Sequence, residues 1–155
     1  MSAAPDEDVR RILEESRTIA VVGCSSSWPK PSFIVPAYMQ SEGYRIIPIN
    51  QRVAEILGEP SLGSLEELDE PVDIVNVFRP AVETPPIART AAALGAKCLW
   101  LQTGIVSEEA RGIAEEGRLA FVEDLCIGAM HGDLGFGPGA KTWKAAEALR
   151  REAAA

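Results

Sequence analysis

Four short polar segments each follow an apolar run of strand length, and they hold the residues best suited to bind an anionic ligand. Hydroxyls and backbone amides at the start of a helix can hold a phosphate, and a lysine or arginine can pair with its charge. The candidate ligand-binding residues, in chain order, are Gly23, Ser25, Ser26, Ser27, Trp28, Lys30, Ser32, Asn50, Arg52, Arg79, Pro80, Leu101, Gln102 and Thr103.

The first segment, residues 23–32, begins with a glycine and supplies three consecutive serines before a lysine and a helix start. Unpaired amides and a partial positive charge at a helix start favour a phosphate. The segment is not the dinucleotide fingerprint, because Ser25 and Trp28 stand where that motif has glycine, and it is not a Walker loop. The alternative is that the serines only cap the helix. Trp28 could cover an adenine or the apolar edge of a sheet.

The end of the second predicted strand distinguishes between nucleotides. A nicotinamide dinucleotide site usually has an acid there for the ribose hydroxyls, whereas this chain has Asn50, with Arg52 two residues later. NAD is therefore disfavoured. Arg52 suits a phosphate on an adenosine ribose, as in NADP or coenzyme A, or it is simply a solvated arginine at a helix start.

The segments after the third and fourth predicted strands leave similar alternatives. Arg79 directly follows an apolar run and precedes Pro80, so its charge needs either an acid such as Asp73 or an anionic ligand. The polar side chain of Gln102 could face a ligand, or it could satisfy neighbouring backbone groups.

The sequence contains no clear catalytic constellation. Its one histidine, His131, stands five positions after Cys126, a separation that places the two on different faces of a helix. We expect Cys126 to be a small buried residue and His131 to be a surface or capping residue. Trp100, within a strand, is expected in the core. Paired carboxylates and a metal-ligand cluster are not found.

The elements that must position these residues follow from the hydrophobic pattern. Apolar runs alternate with segments of helical period, which predicts an α/β fold with a doubly wound, five-stranded parallel sheet. Ligands of such sheets bind at the carboxyl ends of the strands, where the strand order reverses. Residues 132–139, with four glycines, are expected to form a flexible loop. The predicted strands are 18–23, 44–50, 72–78, 97–102 and 119–122, and the predicted helices are 6–15, 33–43, 53–57, 64–68, 87–94, 107–116 and 142–155.

Composition narrows the class of protein. The chain has 155 residues, 46% of them hydrophobic, which is enough for one soluble globular domain. A net charge of −8 argues against a general nucleic-acid surface, and no apolar stretch reaches the length of a membrane span. Three widely spaced cysteines, Cys24, Cys98 and Cys126, do not form a disulfide framework, so we expect a cytoplasmic protein.

Several motifs together resemble a known family. They are, in chain order, VVGCSSSWPKPS, GYRIIPIN, EILG, VDIVNVFRP, GAKCLWLQTG and DLCI, and the resemblance spans about residues 9–134. The chain resembles the small bacterial and archaeal CoA-binding proteins, single Rossmann-like domains similar to the amino-terminal domain of the succinyl-CoA synthetase alpha chain. Two positions depart from the family pattern: Gln51 replaces a proline, and Met130 replaces a glutamate before the histidine.

The resemblance implies a strand order of 3-2-1-4-5 and a coenzyme A ligand across the strand ends. By position, residues 25–28 would hold the pyrophosphate and residues 50–52 would lie near the adenosine, while Pro80 and residues 101–103 would flank the pantetheine. The phosphohistidine segment of the synthetase lies outside this domain.

These observations lead to a functional prediction. We expect a CoA-binding Rossmann-like domain over residues 1–140 with a C-terminal helical extension over 141–155, binding coenzyme A or an acyl-CoA as a non-enzymatic or accessory protein. A protein partner or homo-oligomer is possible, whereas nucleic acid and membrane are not expected as partners. The alternatives are an NADP-dependent or acyl-transferring enzyme that uses Cys126 or His131, and a partner module without a ligand.

Overall fold

A five-stranded parallel sheet flanked by helices forms the fold of the computed structural model, which describes residues 6–140. The predicted fold class is therefore confirmed, and each of the five predicted strands is present. The strands of this sheet are β1 (Thr18–Val22), β2 (Arg45–Ile49), β5 (Ile74–Val77), β6 (Cys98–Leu101) and β7 (Ala120–Val122).

The predicted strand order is wrong. The sheet has the order β2-β1-β5-β6-β7, which in the numbering of the five predicted strands is 2-1-3-4-5 rather than 3-2-1-4-5. Pro48 lies in β2 and has no amide hydrogen to donate, which suits the outermost strand of the sheet better than an interior position. The order consequently reverses between β1 and β5.

The segment between β2 and β5 has no long crossover helix. The predicted helix over 53–57 is wrong: a short hairpin is formed there by β3 (Glu55–Ile56) and β4 (Glu59–Pro60). Leu57 and Gly58 both have positive φ, 56° and 77°, which is the geometry of a tight two-residue hairpin turn. The predicted helix over 64–68 is a single 3₁₀ turn, Leu65–Glu67, without a side-chain cap.

Helices cover both faces of the sheet and divide the core in two. One core cluster lies against α1 (Asp6–Glu15), α2 (Pro31–Ser41) and α5 (Ile127–Asp133), and it contains the fully buried Trp100, as predicted. The other lies against α3 (Thr84–Ala93) and α4 (Glu108–Glu116). Ser107, the first residue of the predicted helix 107–116, caps α4, because its side chain accepts a hydrogen bond from the Ala110 amide.

The glycine-rich segment 132–139 is packed rather than free. A Cβ on Gly132 would lie 2.4 Å from the Gly139 Cα, and the Gly139 amide donates to the Tyr38 hydroxyl at 2.9 Å. The glycines therefore permit close packing against α2 and α5. The predicted helix over 142–155 and the extension 141–155 lie outside the described residues. Within residues 6–140, no helix is both long and apolar enough to cross a membrane.

Candidate functional site

The loops after β1 and β5 meet where the strand order reverses. Gly23 has a φ of 85°, a conformation that favours glycine. A Cβ at this position would lie 2.9 Å from Arg79 Cδ and 3.0 Å from the Phe78 carbonyl oxygen. Glycine is thus required here for both the turn and the close approach, and two predicted site residues, Gly23 and Arg79, are in direct contact.

One backbone hydrogen bond closes the loop after β1 onto the start of α2, and a second one lies within the loop. The Ser25 amide donates to the Ser32 carbonyl at 3.0 Å, and the Ser27 amide donates to Ser25 Oγ at 3.0 Å. The Ser32 carbonyl is available because Pro36, four residues later, has no amide hydrogen. Helix α2 begins at Pro31, two residues before the predicted start, which places Pro36 in its second turn.

The start of α2 offers fewer free amides than the sequence suggests. The amides of Phe33 and Ile34 both donate to the Lys30 carbonyl at 2.9 Å, and Pro31 has no amide hydrogen. The Ser32 amide is left for a ligand. Ser26 and Ser27 are exposed, and the Lys30 ammonium is exposed without a partner in the described chain.

Asn50 connects the loop after β1 to the turn after β2. Its Nδ2 donates to the Cys24 carbonyl at 2.8 Å, while its Oδ1 accepts from the amides of Arg52 at 2.7 Å and Val53 at 3.0 Å. The Asn50 side chain is therefore fully engaged in shaping the site. The Arg52 guanidinium is exposed and contacts no acid among residues 6–140.

Arg79 is held by an acid that the sequence did not single out. Its Nε and Nη2 donate to the two carboxylate oxygens of Glu83 at 3.0 and 2.8 Å. Hydrogen bonding to Arg79 lowers the pKa of Glu83. The expected partner Asp73 lies at the opposite edge, where its carboxylate accepts from the amides of Arg17 and Thr18. Pro80, next to Arg79, is exposed.

Gln102 forms hydrogen bonds with neighbouring protein groups, which was the second of its two expected roles. It is 5% exposed, and its Oε1 accepts from Asn76 Nδ2 at 3.1 Å and from the Ile127 amide at 2.9 Å. Gln102 thereby fixes the start of α5. Leu101 is fully buried in the core, so its side chain does not reach the edge, whereas Thr103 is exposed.

The structure does not bring Cys126 and His131 together. Cys126 precedes the first residue of α5 and lies at the carboxyl edge, half-buried, whereas His131 lies in the last turn of that helix. His131 was expected to be a surface or capping residue, but it is 4% exposed, and its Nδ1 is 2.7 Å from the Tyr38 hydroxyl. Among residues 6–140, no group of side chains is arranged to hold a metal ion.

The model of one known protein family matches most of the described chain. Residues 17–132 match the model of a family described as CoA binding domain. The chain belongs to this CoA-binding domain family. The match spans all five strands of the sheet and every candidate residue of the four strand-end segments, so the site described above lies inside the family's domain.

Relatives of the chain cover nearly its whole described length. "Uncharacterized protein YneT" from Bacillus subtilis is 40% identical over 124 residues, covering 80% of this chain and 92% of that protein. A structure from Thermus thermophilus has a TM-score of 0.80 at 35% identity, covering 84% and 99% of the two chains. A hypothetical protein from Pyrococcus horikoshii has a TM-score of 0.82 at 30% identity, covering 86% and 94%.

One structural neighbour is a larger enzyme. It is a dinucleotide-forming acetyl-coenzyme A synthetase from Candidatus Korarchaeum cryptofilum, with a TM-score of 0.63 at 21% identity. The match covers 74% of this chain but only 26% of the synthetase. At this identity the likeness shows a common fold alone.

Two residues at the site were missed by sequence reasoning. Glu83 follows Arg79 by four residues, a spacing that allows an ion pair along a helical turn. Asn76 is 1% exposed and binds Gln102, and its signal was an amide in the middle of an apolar strand. A buried amide needs a partner, so that position could have been paired with the next polar strand end.

Proposed function

We propose that this chain binds coenzyme A or an acyl-CoA along the carboxyl edge of its sheet, as an accessory protein without chemistry of its own. The supporting observation is the distribution of unpartnered cations. Among residues 6–140 only Lys30, Arg52 and Arg118 have side chains without an acidic, carbonyl or aromatic partner. Two of these three flank the same edge, in a chain of net charge −8.

The loop after β1 suits a pyrophosphate. Ser26 and Ser27 present hydroxyls, the Ser32 amide is unused, and Lys30 supplies a positive charge beside them. Phosphate oxygens accept readily from such donors, and the start of an eleven-residue helix adds a partial positive charge.

The turn after β2 suits a phosphorylated ribose better than a free one. A nicotinamide dinucleotide site uses a carboxylate to accept from ribose hydroxyls, and Asn50 provides none because its Oδ1 already accepts two amides. Arg52 adds a free cation at this position. Coenzyme A has a 3′-phosphate on its ribose, and we assign Arg52 to that phosphate.

Calorimetric titration of the full chain with coenzyme A, dephospho-coenzyme A, NAD and NADP tests the proposal. We expect the tightest binding for coenzyme A. Arg52→Ala should weaken coenzyme A by about 1–3 kcal/mol, the range for a charge-assisted hydrogen bond, and leave dephospho-coenzyme A nearly unchanged. Arg118→Ala, which removes the third unpartnered cation, is the matched control because that residue precedes β7 at the other edge.

Three results would change the assignment. Tighter binding of NAD or NADP than of coenzyme A contradicts the proposal itself. Equal losses for both coenzyme A forms in Arg52→Ala show that Arg52 does not contact the 3′-phosphate. A selective loss in Lys30→Ala instead transfers that role to Lys30.

A further inference from the structure

A second cleft lies at the opposite, amino-terminal edge of the sheet. It has a volume of about 360 Å³, which is within the range of small-molecule sites, and it lies between the end of α1, the turn before β2 and the end of α5. None of the residues that line it belongs to the proposed coenzyme A site. It therefore requires an explanation of its own.

Two deeply buried polar side chains line this cleft, and each has one polar atom without a hydrogen-bond partner in the described chain. Ser16 is 3% exposed and His131 is 4% exposed, yet Ser16 Oγ and His131 Nε2 make no hydrogen bond within the described chain. Neither atom is sealed from solvent, since Ser61 Oγ is the one fully enclosed, unbonded side-chain atom among residues 6–140. Both atoms are therefore open to the cleft, where a polar ligand could pair with them in place of water.

The hydrogen bonds of Tyr38 determine which nitrogen of the His131 ring carries the hydrogen. The Gly139 amide donates to the Tyr38 hydroxyl oxygen at 2.9 Å, so the Tyr38 proton is free to point to His131 Nδ1, 2.7 Å away. Nδ1 then accepts, and the hydrogen of a neutral ring is on Nε2. Burial lowers the pKa of His131 and outweighs the opposite effect of the Glu42 carboxylate. The ring is therefore neutral near pH 7. His131 consequently presents a hydrogen-bond donor to the cleft.

The charged side chains of the cleft are of both signs and are not paired with each other. Arg17 reaches only the carbonyls of Glu14 and Ser16, at 3.4 and 3.3 Å, and no carboxylate. The carboxylates of Glu14 and Glu42 contact no cation among residues 6–140. The cleft thus has donors on Ser16, Arg17 and His131 and acceptors on the two glutamates.

Apolar surface completes the lining. Leu13, the Tyr44 ring and the Phe136 ring face the cleft, and the two rings lie 5.8 and 5.5 Å from the His131 ring. An apolar group of a ligand could pack here beside the polar groups.

We propose that this cleft binds a small zwitterion, an α-amino acid with an apolar side chain. Its carboxylate would accept from Arg17, Ser16 and His131, and its ammonium would donate to Glu14 and Glu42. A simple anion would face two unpaired carboxylates, a simple cation would leave three donors unmatched, and a neutral polyol would leave the charges uncompensated. A ligand with both charges can pair with the whole lining.

The test titrates the full chain with L-leucine and L-phenylalanine and with two analogues of leucine that each lack one charge. Leucinol has no carboxylate, and 4-methylpentanoate has no ammonium. We expect at least one of the amino acids to bind and each leucine analogue to bind at least tenfold more weakly than leucine. No binding of either amino acid at millimolar concentration, or equal binding of leucine and its analogues, overturns the proposal.

Variants then assign the two charges. Arg17→Met should remove the preference for leucine over leucinol, and Glu42→Gln should reduce the preference for leucine over 4-methylpentanoate. Neither side chain holds an ion pair with an acid or base of the described chain, so both variants are expected to fold, which circular dichroism checks. Arg118→Met and Glu115→Gln, outside the cleft, are the matched controls. Preferences that are unchanged in both cleft variants contradict the assignment, and coenzyme A binding is measured separately because it uses the other edge.

Discussion

Asn50 joins two loops of the proposed coenzyme A site, so its removal should loosen both of them. Asn50→Ala deletes three hydrogen bonds, of 2.8, 2.7 and 3.0 Å, to the Cys24 carbonyl and to the amides of Arg52 and Val53. At about 1 kcal/mol for each bond the largest expected loss is about 3 kcal/mol. Asn50 is half-buried, so water can reach part of the vacated groups, and we expect a loss of about 2 kcal/mol in the free energy of unfolding.

The variant Asn50→Asp distinguishes the contribution of the Asn50 acceptor from that of its donor. The carboxylate keeps the acceptor for both amides, but it loses the donor to the Cys24 carbonyl and brings a negative charge beside that oxygen. We expect a smaller loss of about 1 kcal/mol in stability. Coenzyme A should bind more weakly, because the new negative charge lies beside the assigned phosphate site. The affinity for NAD should rise relative to the affinity for coenzyme A.

Urea unfolding at pH 7 and calorimetric titration of both ligands measure these effects. Gln51→Ala is the control, since the neighbouring Gln51 is exposed and makes no side-chain hydrogen bond in the described chain. If Asn50→Ala is no less stable than Gln51→Ala, the three bonds do not contribute as argued. If Asn50→Asp binds coenzyme A as tightly as the unaltered chain, the phosphate does not lie near this turn.

Three further outcomes test other parts of the structure. Gly23→Ala should destabilise the fold by roughly 1 kcal/mol more than Gly43→Ala in thermal unfolding. Both positions have positive φ, but only at Gly23 would the added Cβ lie 3.0 Å from a carbonyl oxygen. Equal losses of stability in the two variants would contradict this argument. Burial opposes the ionisation of Asp73, but hydrogen bonds from the amides of Arg17 and Thr18 and the charge of Lys97 outweigh burial and lower the pKa of Asp73. The ionised Asp73 therefore stabilises the fold above about pH 4, and this stabilisation is lost as the pH falls further. Asp73→Asn should therefore lose stability at pH 7, show a shallower loss in acid, and leave coenzyme A affinity unchanged. A thiol reagent at pH 8 should modify half-buried Cys126 in the folded chain, whereas Cys24, whose pKa burial raises to about 12, and fully buried Cys98 should react only after unfolding.

The strands and most helices could be predicted because their signals are local. A parallel strand buried on both faces is a continuous apolar run, and all five runs became strands of the sheet. Ser107 at the start of α4 and the acids in the first turn of α1 are equally local signals, and both helices begin where these residues predict. The four polar segments also follow their strands as predicted.

The strand order and the β3–β4 hairpin could not be predicted from local sequence signals. The connection from β2 to β5 passes beyond β1, and no residue of 50–73 specifies that path. The one local signal is the missing amide of Pro48, which lies in β2 before the connection. The tight turn at Leu57 and Gly58 resembles the end of a short helix in sequence, because glycine serves both geometries. The burial of His131 depends on Tyr38, 93 residues away, a contact that no local pattern reveals.

Which cations remain for a ligand is likewise a property of the folded chain. From the sequence, Lys30, Arg52 and Arg79 were all candidates for an anion at the strand ends. The fold commits Arg79 to Glu83 in two hydrogen bonds, while the turn fixed by Asn50 presents Arg52 to solvent without an acid nearby. Arg79 could serve a phosphate only by giving up Glu83, whereas Lys30 and Arg52 need give up nothing. The lower cost of using the two free cations is the reason that the assignment of the ligand's phosphates rests on them.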